Sequence, residues 1–259
     1  MVPDQAAGGG YALIPIVTSL DRSYLPGLKA LHNSYVKNSR EGFEFWAILD
    51  GDEAFEREVN ALGIKTILNP SMETDQYPVS EKWPDEVPAM YWRMLIPSLF
   101  PGHEKSIYID ADAIILKSLK GIADIDMGSK VLGATHDNPM RVSTLGLPDN
   151  LANTVSFVSS FMVFNHKQWT DRKLLDRCLE VMQRNDLNFK CAVQGVMQVA
   201  ILDNWYEYKY MFQAHAGHQT LCAESFILHF MGTNPWETLR ADLVQPWKIK
   251  ARAIWSEYA

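Results

Sequence analysis

Ser106-Ile107-Tyr108-Ile109-Asp110-Ala111-Asp112-Ala113-Ile114-Ile115-Leu116 is an apolar stretch broken by two aspartates one residue apart. The chain leaves a core, presents two acids and goes back in. In extended backbone, residues two apart point to the same side, so both carboxylates share one face. Held together in a mostly apolar segment, they repel each other and are costly to bury. A divalent cation resolves that conflict, and oxygen ligands suit Mn²⁺ or Mg²⁺. The alternative is a partly exposed strand end whose acids are simply solvated.

Two further Asp-X-Asp triplets must be separated from this one, because so short a pattern also arises by chance. Asp50-Gly51-Asp52 ends the apolar run Phe43 to Leu49 and is followed by Glu53 and Ala54. That reads as a strand-to-helix turn, where acids complement the positive end of a helix. Asp124-Ile125-Asp126 runs into Gly128 and Ser129 and reads as a solvated loop. Only the 110–112 pair lacks an ordinary structural role.

Working outward, apolar runs suited to strands lie at Ala12–Thr18, Phe43–Leu49, Ile64–Leu68, Ser106–Ile109, Ala113–Leu116, Val131–Thr135 and Ser156–Phe164. Between them, Pro26–Lys37, the Phe55/Val59/Leu62 stripe, Ala89–Phe100 and Arg172–Asn185 carry helical spacing. Asn69–Pro88, with Pro70, Pro78, Pro84 and Pro88, reads as a long loop, and a polar loop runs from Thr135 to about Thr154. Alternating strands and helices predict an α/β fold, a mixed, mostly parallel Rossmann-like sheet flanked by helices. In such sheets ligands bind at the carboxyl ends of strands. The expected organisation is a flexible lead-in at 1–10, one domain at 11–240 and a C-terminal extension at 241–259.

Composition narrows the function. A net charge of −7 and a pI near 5.5 argue against nucleic-acid binding through counterion release. The three cysteines, Cys178, Cys191 and Cys222, match no zinc or redox spacing and read as buried thiols. The run from Tyr11 to Val17 is too short to span a bilayer and contains Pro15. A reducing, cytoplasmic setting is the expectation.

The residues around the aspartate pair carry a resemblance. Tyr91-Trp92-Arg93-Met94-Leu95-Ile96-Pro97, followed by Ser106-Ile107-Tyr108-Ile109-Asp110-Ala111-Asp112, resembles the core of the family 8 retaining glycosyltransferases, the group that contains glycogenin. There an aromatic-Arg helix precedes a strand ending Tyr-Leu-Asp-x-Asp. His229-Phe230-Met231-Gly232-Thr233-Asn234-Pro235-Trp236 is similar to that family's His-x-x-Gly-x-x-Lys-Pro-Trp, and Val17-Thr18-Ser19 with Tyr24-Leu25-Pro26-Gly27 matches its opening. The similarity runs from about Ala12 to Trp236.

The resemblance implies a GT-A fold, a nucleotide-sugar donor (usually a UDP-sugar) and Mn²⁺ or Mg²⁺. It makes Asp110, Asp112 and His229 the metal ligands. Arg93 is implied in donor contact and catalysis, Tyr24 beside the nucleobase, and Thr18, Ser19, Ala111, Gly232 and Asn234 around the donor. The acceptor, whether a glycan, a lipid-linked glycan or a protein, is not specified. Read alone, His229, Arg93 and Tyr24 would pass for a satisfied histidine, a buried carboxylate partner and a packing aromatic, and Trp236 for core packing.

The chain also departs from the family's pattern. Phe157-Val158-Ser159-Ser160 stands where members show Phe-Asn-Ser/Ala-Gly, and Val193-Gln194 stands in place of an Asp-Gln pair. Asn234 replaces the Lys beside the diphosphate. Gln194 remains as a candidate catalytic group. Losing an acceptor for sugar hydroxyls changes which sugar fits, or leaves a protein that binds nucleotide-sugar with little transfer. Sugar nucleotidyltransferases are set aside because Thr18-Ser19-Leu20-Asp21, not a Gly-rich loop, follows the first strand. Haloacid-dehalogenase-like phosphatases are set aside because several strands precede the aspartate pair. The terminal stretch, with Trp247, Lys248, Lys250, Arg252, Trp255 and Tyr258, reads first as a packed helix and second as a peripheral membrane contact.

Overall fold

The computed structural model describes residues 13–72, 77–78, 88–136, 154–184, 192–209, 213–215, 225–230, 234–237 and 246–259. The lead-in at 1–10, Cys191, Cys222, Gly232, most of the expected 69–88 loop and the 137–153 part of the second loop lie outside them.

The strands and helices, in chain order, are β1 Ile14–Asp21, α1 Leu25–Asn38, β2 Phe43–Asp50, α2 Glu53–Asn60 and β3 Lys65–Leu68. Then come α3 Pro88–Tyr91, α4 Ile96–Leu99, β4 Lys105–Ile109, β5 Ala113–Ile115, α5 Lys120–Ala123, β6 Leu132–His136 and β7 Phe157–Asn165. The rest are α6 His166–Asp171, α7 Leu174–Met182, α8 Ala192–Ile201, β8 Trp205–Tyr208, β9 Gln213–His215, β10 Ile227–His229 and α9 Pro246–Ser256.

Among the described residues, seven strands form one sheet in the order β3-β2-β1-β4-β7-β6-β8. β3, β2, β1 and β4 run parallel, with β1 and β2 in register from Ile14 opposite Phe43 to Asp21 opposite Asp50. β7 is reversed between β4 and β6, and β8 pairs parallel to β6. The expected mixed, mostly parallel α/β sheet is therefore present. Both its faces are covered, as the apolar runs require. On β4, Ile107 and Ile109 pack with Leu28 and Leu31 of α1 and Phe55 of α2, whereas Tyr108 faces the opposite cluster with Trp92, Met94 and Trp169. A second sheet, β5-β10-β9, was not expected from the sequence.

Two expected helices are broken, each for a local reason. Ala89–Phe100 divides into α3, a 3₁₀ turn over Trp92–Leu95, and α4. Pro97 lacks an N–H and its ring crowds the carbonyl four residues back, at Arg93. Arg172–Asn185 begins only at Leu174, because Lys173 takes the left-handed conformation (φ 51°) between α6 and α7. The other two triplets keep structural roles. Asp52 is the N-cap of α2, its carboxylate accepting from Phe55 N at 2.7 Å, and Asp126 accepts from Gly128 N at 2.8 Å in an exposed loop. Cys178 is buried in the core with its thiol pushed up to about 12 by burial, as expected of an inert thiol.

At the start of α6 a buried histidine ties two layers together. His166 Nδ1 lies 3.2 Å from Phe100 O and Nε2 lies 2.8 Å from Ser106 Oγ. A carbonyl can only accept, so Nδ1 carries the proton and Nε2 accepts from the serine. The neutral ring is satisfied on both sides, and burial first of all lowers its pKa to about 4. Between the ordinary 6.5 and about 4, the unfolded chain therefore binds a proton that the folded chain does not. Stability falls as pH drops through that window, by up to about 1.4 kcal/mol per pH unit from this group. Urea unfolding across the window should show a shallower pH slope in His166→Gln than in the wild type. Equal slopes would remove His166 as the cause.

Candidate active site

β4 ends the parallel set, and the chain there changes sheets. Asp110 closes β4 with its N–H donating to Ser160 O at 2.9 Å. Ala111 and Asp112 form a turn, and Ala113 opens β5 in the second sheet. The pair is thus not extended, contrary to the sequence expectation. Its carboxylates converge because the chain turns between two sheets, not because of strand alternation. β10 supplies the third group. It runs antiparallel to β5 with His229 opposite Ala113, and Phe230 N donates to Asp112 O at 2.9 Å.

His229 Nε2 lies 3.2 Å from Asp112 Oδ1 and 3.6 Å from Asp110 Oδ2. One ligand atom from each of the three residues falls within 4.8 Å of the others, spacing suited to a single divalent cation. Burial pushes the His229 imidazole down, but Asp112 and then Asp110 outweigh it and hold its pKa above the ordinary value. Asp112 shows the converse. Burial raises its pKa, yet the neighbouring His229 charge brings it below the usual carboxylate range. A cation would replace that proton, since a metal-bound imidazole must be neutral.

Arg93 is buried in the 3₁₀ turn preceding α4 and reaches the same place. Its Nη2 lies 3.1 Å from Asp110 Oδ1, Nη1 donates to Ser159 O at 2.9 Å, and Nε donates to Met90 O at 2.7 Å. The guanidinium carbon sits 4.4 Å from the centre of the Tyr108 ring. Tyr108, whose hydroxyl donates to Asp110 Oδ1 at 2.7 Å, was not singled out from the sequence. Its position two residues before Asp110 was the available signal.

Around this group the other expected residues divide. The half-buried Tyr24 is hydrogen-bonded to Asn234, and burial followed by the nearby Asp112 raises its pKa to about 12. Its ring meets Trp236 edge to face, with centroids 5.6 Å apart. Asn234 also donates to Glu237 Oε1 at 2.8 Å. Ser19 Oγ turns to the Tyr108 hydroxyl at 3.3 Å. Thr18 is fully buried, and its Oγ1 has no hydrogen-bond partner among the described residues. Gln194 is half-buried near the start of α8, beside the buried Val193, and α8 packs on β7, the strand that carries Ser159 and Ser160.

Ala111 is buried, and its carbonyl rests on α1. A Cβ added to Gly27 would lie 2.5 Å from Ala111 O and 2.7 Å from two ring carbons of Trp236. Trp236 in turn meets Trp255 of α9, with ring centroids 6.3 Å apart. The terminal helix packs inward through Ala251, with Tyr258 just beyond it, against Ala30, Ile114, Leu228 and Phe230. Asn33 donates to Tyr258 O and Asn38 to its hydroxyl, which ties α1 to the end of the chain. Among the described residues no helix is long and apolar enough to cross a membrane.

A doubly covered α/β sheet with a metal-capable Asp-x-Asp turn at the end of a central parallel strand is the arrangement this chain shares with glycosyltransferases of the GT-A fold. The chain belongs to Glycosyl transferase family 8, whose sequence model matches residues 15–240. It is 26% identical over 248 residues to the lipopolysaccharide 1,2-glucosyltransferase of Escherichia coli K12, covering 85% of this chain and 72% of that one. It is 23% identical to glycosyltransferase GlyB of Streptococcus pneumoniae, of which it spans 42%.

Among solved structures, the galactosyltransferase LgtC, in complex with donor and acceptor sugar analogues, superposes with a TM-score of 0.72 at 16% identity, over 95% of this chain and 96% of that one. The bifunctional glycosyltransferase WbbM gives a TM-score of 0.69 at 15% identity over 96% of this chain, which spans 53% of WbbM. At such identities the structural likeness speaks for the fold.

The contact at Gly27 yields a test. Gly27→Ala should cost about 1–3 kcal/mol, as overpacking of a filled site does. Gly121→Ala, within α5 and with open space around it, should unfold at or slightly above the wild-type temperature in the same thermal melt, since alanine favours the helix by about 0.4–1 kcal/mol.

Proposed function

We propose that this glycosyltransferase moves a sugar from a nucleotide-sugar, a UDP-sugar first of all, to a glycan, lipid-linked or protein acceptor, with Mn²⁺ or Mg²⁺ and with retention at the anomeric carbon. The observation that carries the reading is the convergence of Asp110, Asp112 and His229 at the carboxyl end of β4. Two carboxylates and an imidazole fit a hard or borderline divalent cation that keeps open positions for phosphate oxygens. When bound, the cation offsets charge on the departing diphosphate as a Lewis acid.

The chain's own residues supply the rest. Arg93 adds a buried positive charge beside Asp110, where charge builds on the leaving group. Tyr24, with Asn234, borders the donor next to the cation site, and Ser19, Thr18 and the Ala111 backbone shape the floor beneath it. Gly232 is assigned the close approach to the diphosphate that only a residue without Cβ allows. Gln194 is proposed beside the donor sugar. A cytoplasmic site of action and peripheral contact of the terminal helix with a membrane holding lipid-linked acceptors complete the reading. The exposed Ile249 on that helix favours the membrane contact.

A second reading, donor binding with little or no transfer, is favoured by two residues. Val193 is buried and offers no acceptor for a sugar hydroxyl. Asn234 is neutral and already bonded to Glu237 and Tyr24. Incubation with UDP-sugars and Mn²⁺ separates the two, since release of free UDP supports transfer and binding without release supports the second. Asp110→Asn should lower UDP release by about a hundredfold or more, the scale of several kcal/mol of lost charge stabilisation. Metal and donor binding unchanged by that substitution would overturn the assignment.

A further inference from the structure

We propose that Tyr108 is a positioning residue, which holds Asp110 so that Oδ2 alone is offered to the cation. The inference rests on the metal reading of Asp110, Asp112 and His229. The carboxylate torsion of an aspartate is soft and nearly two-fold, so the residue itself does not decide which oxygen faces His229. Its neighbours decide. Oδ1 takes the Tyr108 hydroxyl at 2.7 Å and Arg93 Nη2 at 3.1 Å. Oδ2 is the oxygen turned to His229 Nε2, at 3.6 Å.

Proton directions reinforce this arrangement. An ionised carboxylate only accepts, so the single phenol proton points at Asp110. The Ser19 hydroxyl, 3.3 Å from the phenol oxygen, is then the donor to it. Ser19, Tyr108 and Asp110 form a chain of hydrogen bonds with one sense, running from β1 to the end of β4. The Tyr108 ring is fully buried and cannot swing away, and its face supports the Arg93 guanidinium at 4.4 Å. One side chain thus orients Asp110 through its hydroxyl and Arg93 through its ring.

Tyr108→Phe isolates the first role, because it removes one oxygen and leaves the ring under Arg93. Mn²⁺ is titrated into the full chain without donor and followed by the loss of the free-Mn²⁺ EPR signal. Tyr108→Phe should bind Mn²⁺ about 10–100-fold more weakly, the usual effect of removing a partner that orients a metal ligand. It should unfold a few degrees below the wild type without metal, as loss of one buried hydrogen bond to a carboxylate does, and recover UDP release at saturating Mn²⁺. Asp112→Asn should lose the Mn²⁺ site altogether.

Wild-type Mn²⁺ affinity in Tyr108→Phe, with Asp112→Asn impaired, overturns the positioning role while the metal reading stands. Wild-type affinity in Asp112→Asn overturns the metal reading and this inference with it. A lower unfolding temperature that saturating Mn²⁺ does not compensate in activity makes Tyr108 merely structural and also overturns it. If Tyr108→Phe fails to fold, Ser19→Ala decides. It should weaken Mn²⁺ binding by a few-fold, less than the loss of an orienting partner in direct contact with the ligand, and wild-type affinity overturns the proposal.

Discussion

Like charge confined in a small space is the constraint around which this molecule is built. Two carboxylates meet at the junction of two sheets, where partial burial makes their repulsion expensive. The surroundings are arranged to make that tolerable. Arg93 and the Tyr108 hydroxyl take one oxygen of Asp110, and His229 stands between the two acids. The helix break at Pro97 is part of the same arrangement, since the 3₁₀ turn ahead of it carries Arg93. A regular helix from Ala89 would rotate that side chain elsewhere.

The turn between the aspartates also needs a floor, and α1 provides it. Gly27 lets the helix start come within contact of the Ala111 carbonyl, while Ser34 Oγ accepts from Ile115 N at 2.9 Å and Ser39 Oγ from Leu119 N at 3.0 Å. Small and hydroxyl-bearing residues of one helix therefore follow the chain from the turn through β5 to the start of α5. From the other side Trp236 and the terminal helix hold the same element. The packing layers and the polar site are in this sense one construction.

Much of the architecture was legible because its signals are local. Apolar runs marked β1, β2, β4 and β7, and the capping acid Asp52 marked the start of α2. The Asp110–Asp112 pair stood out by being an interruption that no turn chemistry explained. What escaped reading is non-local or too short to show a period. β9 and β10 are three residues each, and β10 is recognisable as a strand only through its pairing with β5 and β9. The reversal of β7 leaves no trace in its composition, because a strand buried on both faces reads the same in either direction. Tyr108 escaped for a related reason. Inside an apolar strand a tyrosine looks like core, and its hydroxyl gains meaning only when the carboxylate two residues on turns back toward it. The family motif located His229 from a distance that spacing alone could not bridge.

The placement of His229 on β10 has a consequence for how the chain is made. Synthesis runs from the amino end, and domains fold as their chain emerges. β1 to β4 and the aspartate turn leave the ribosome long before β10 exists. During that interval two acids sit together without the imidazole that separates them, and β5 lacks its partner strand. A nascent chain at this stage has most of the large sheet but lacks the third of the groups that could hold a metal ion. β10 arrives late and brings His229, so a product truncated before it would keep the strands of the large sheet but only two of the three groups that could hold a metal ion.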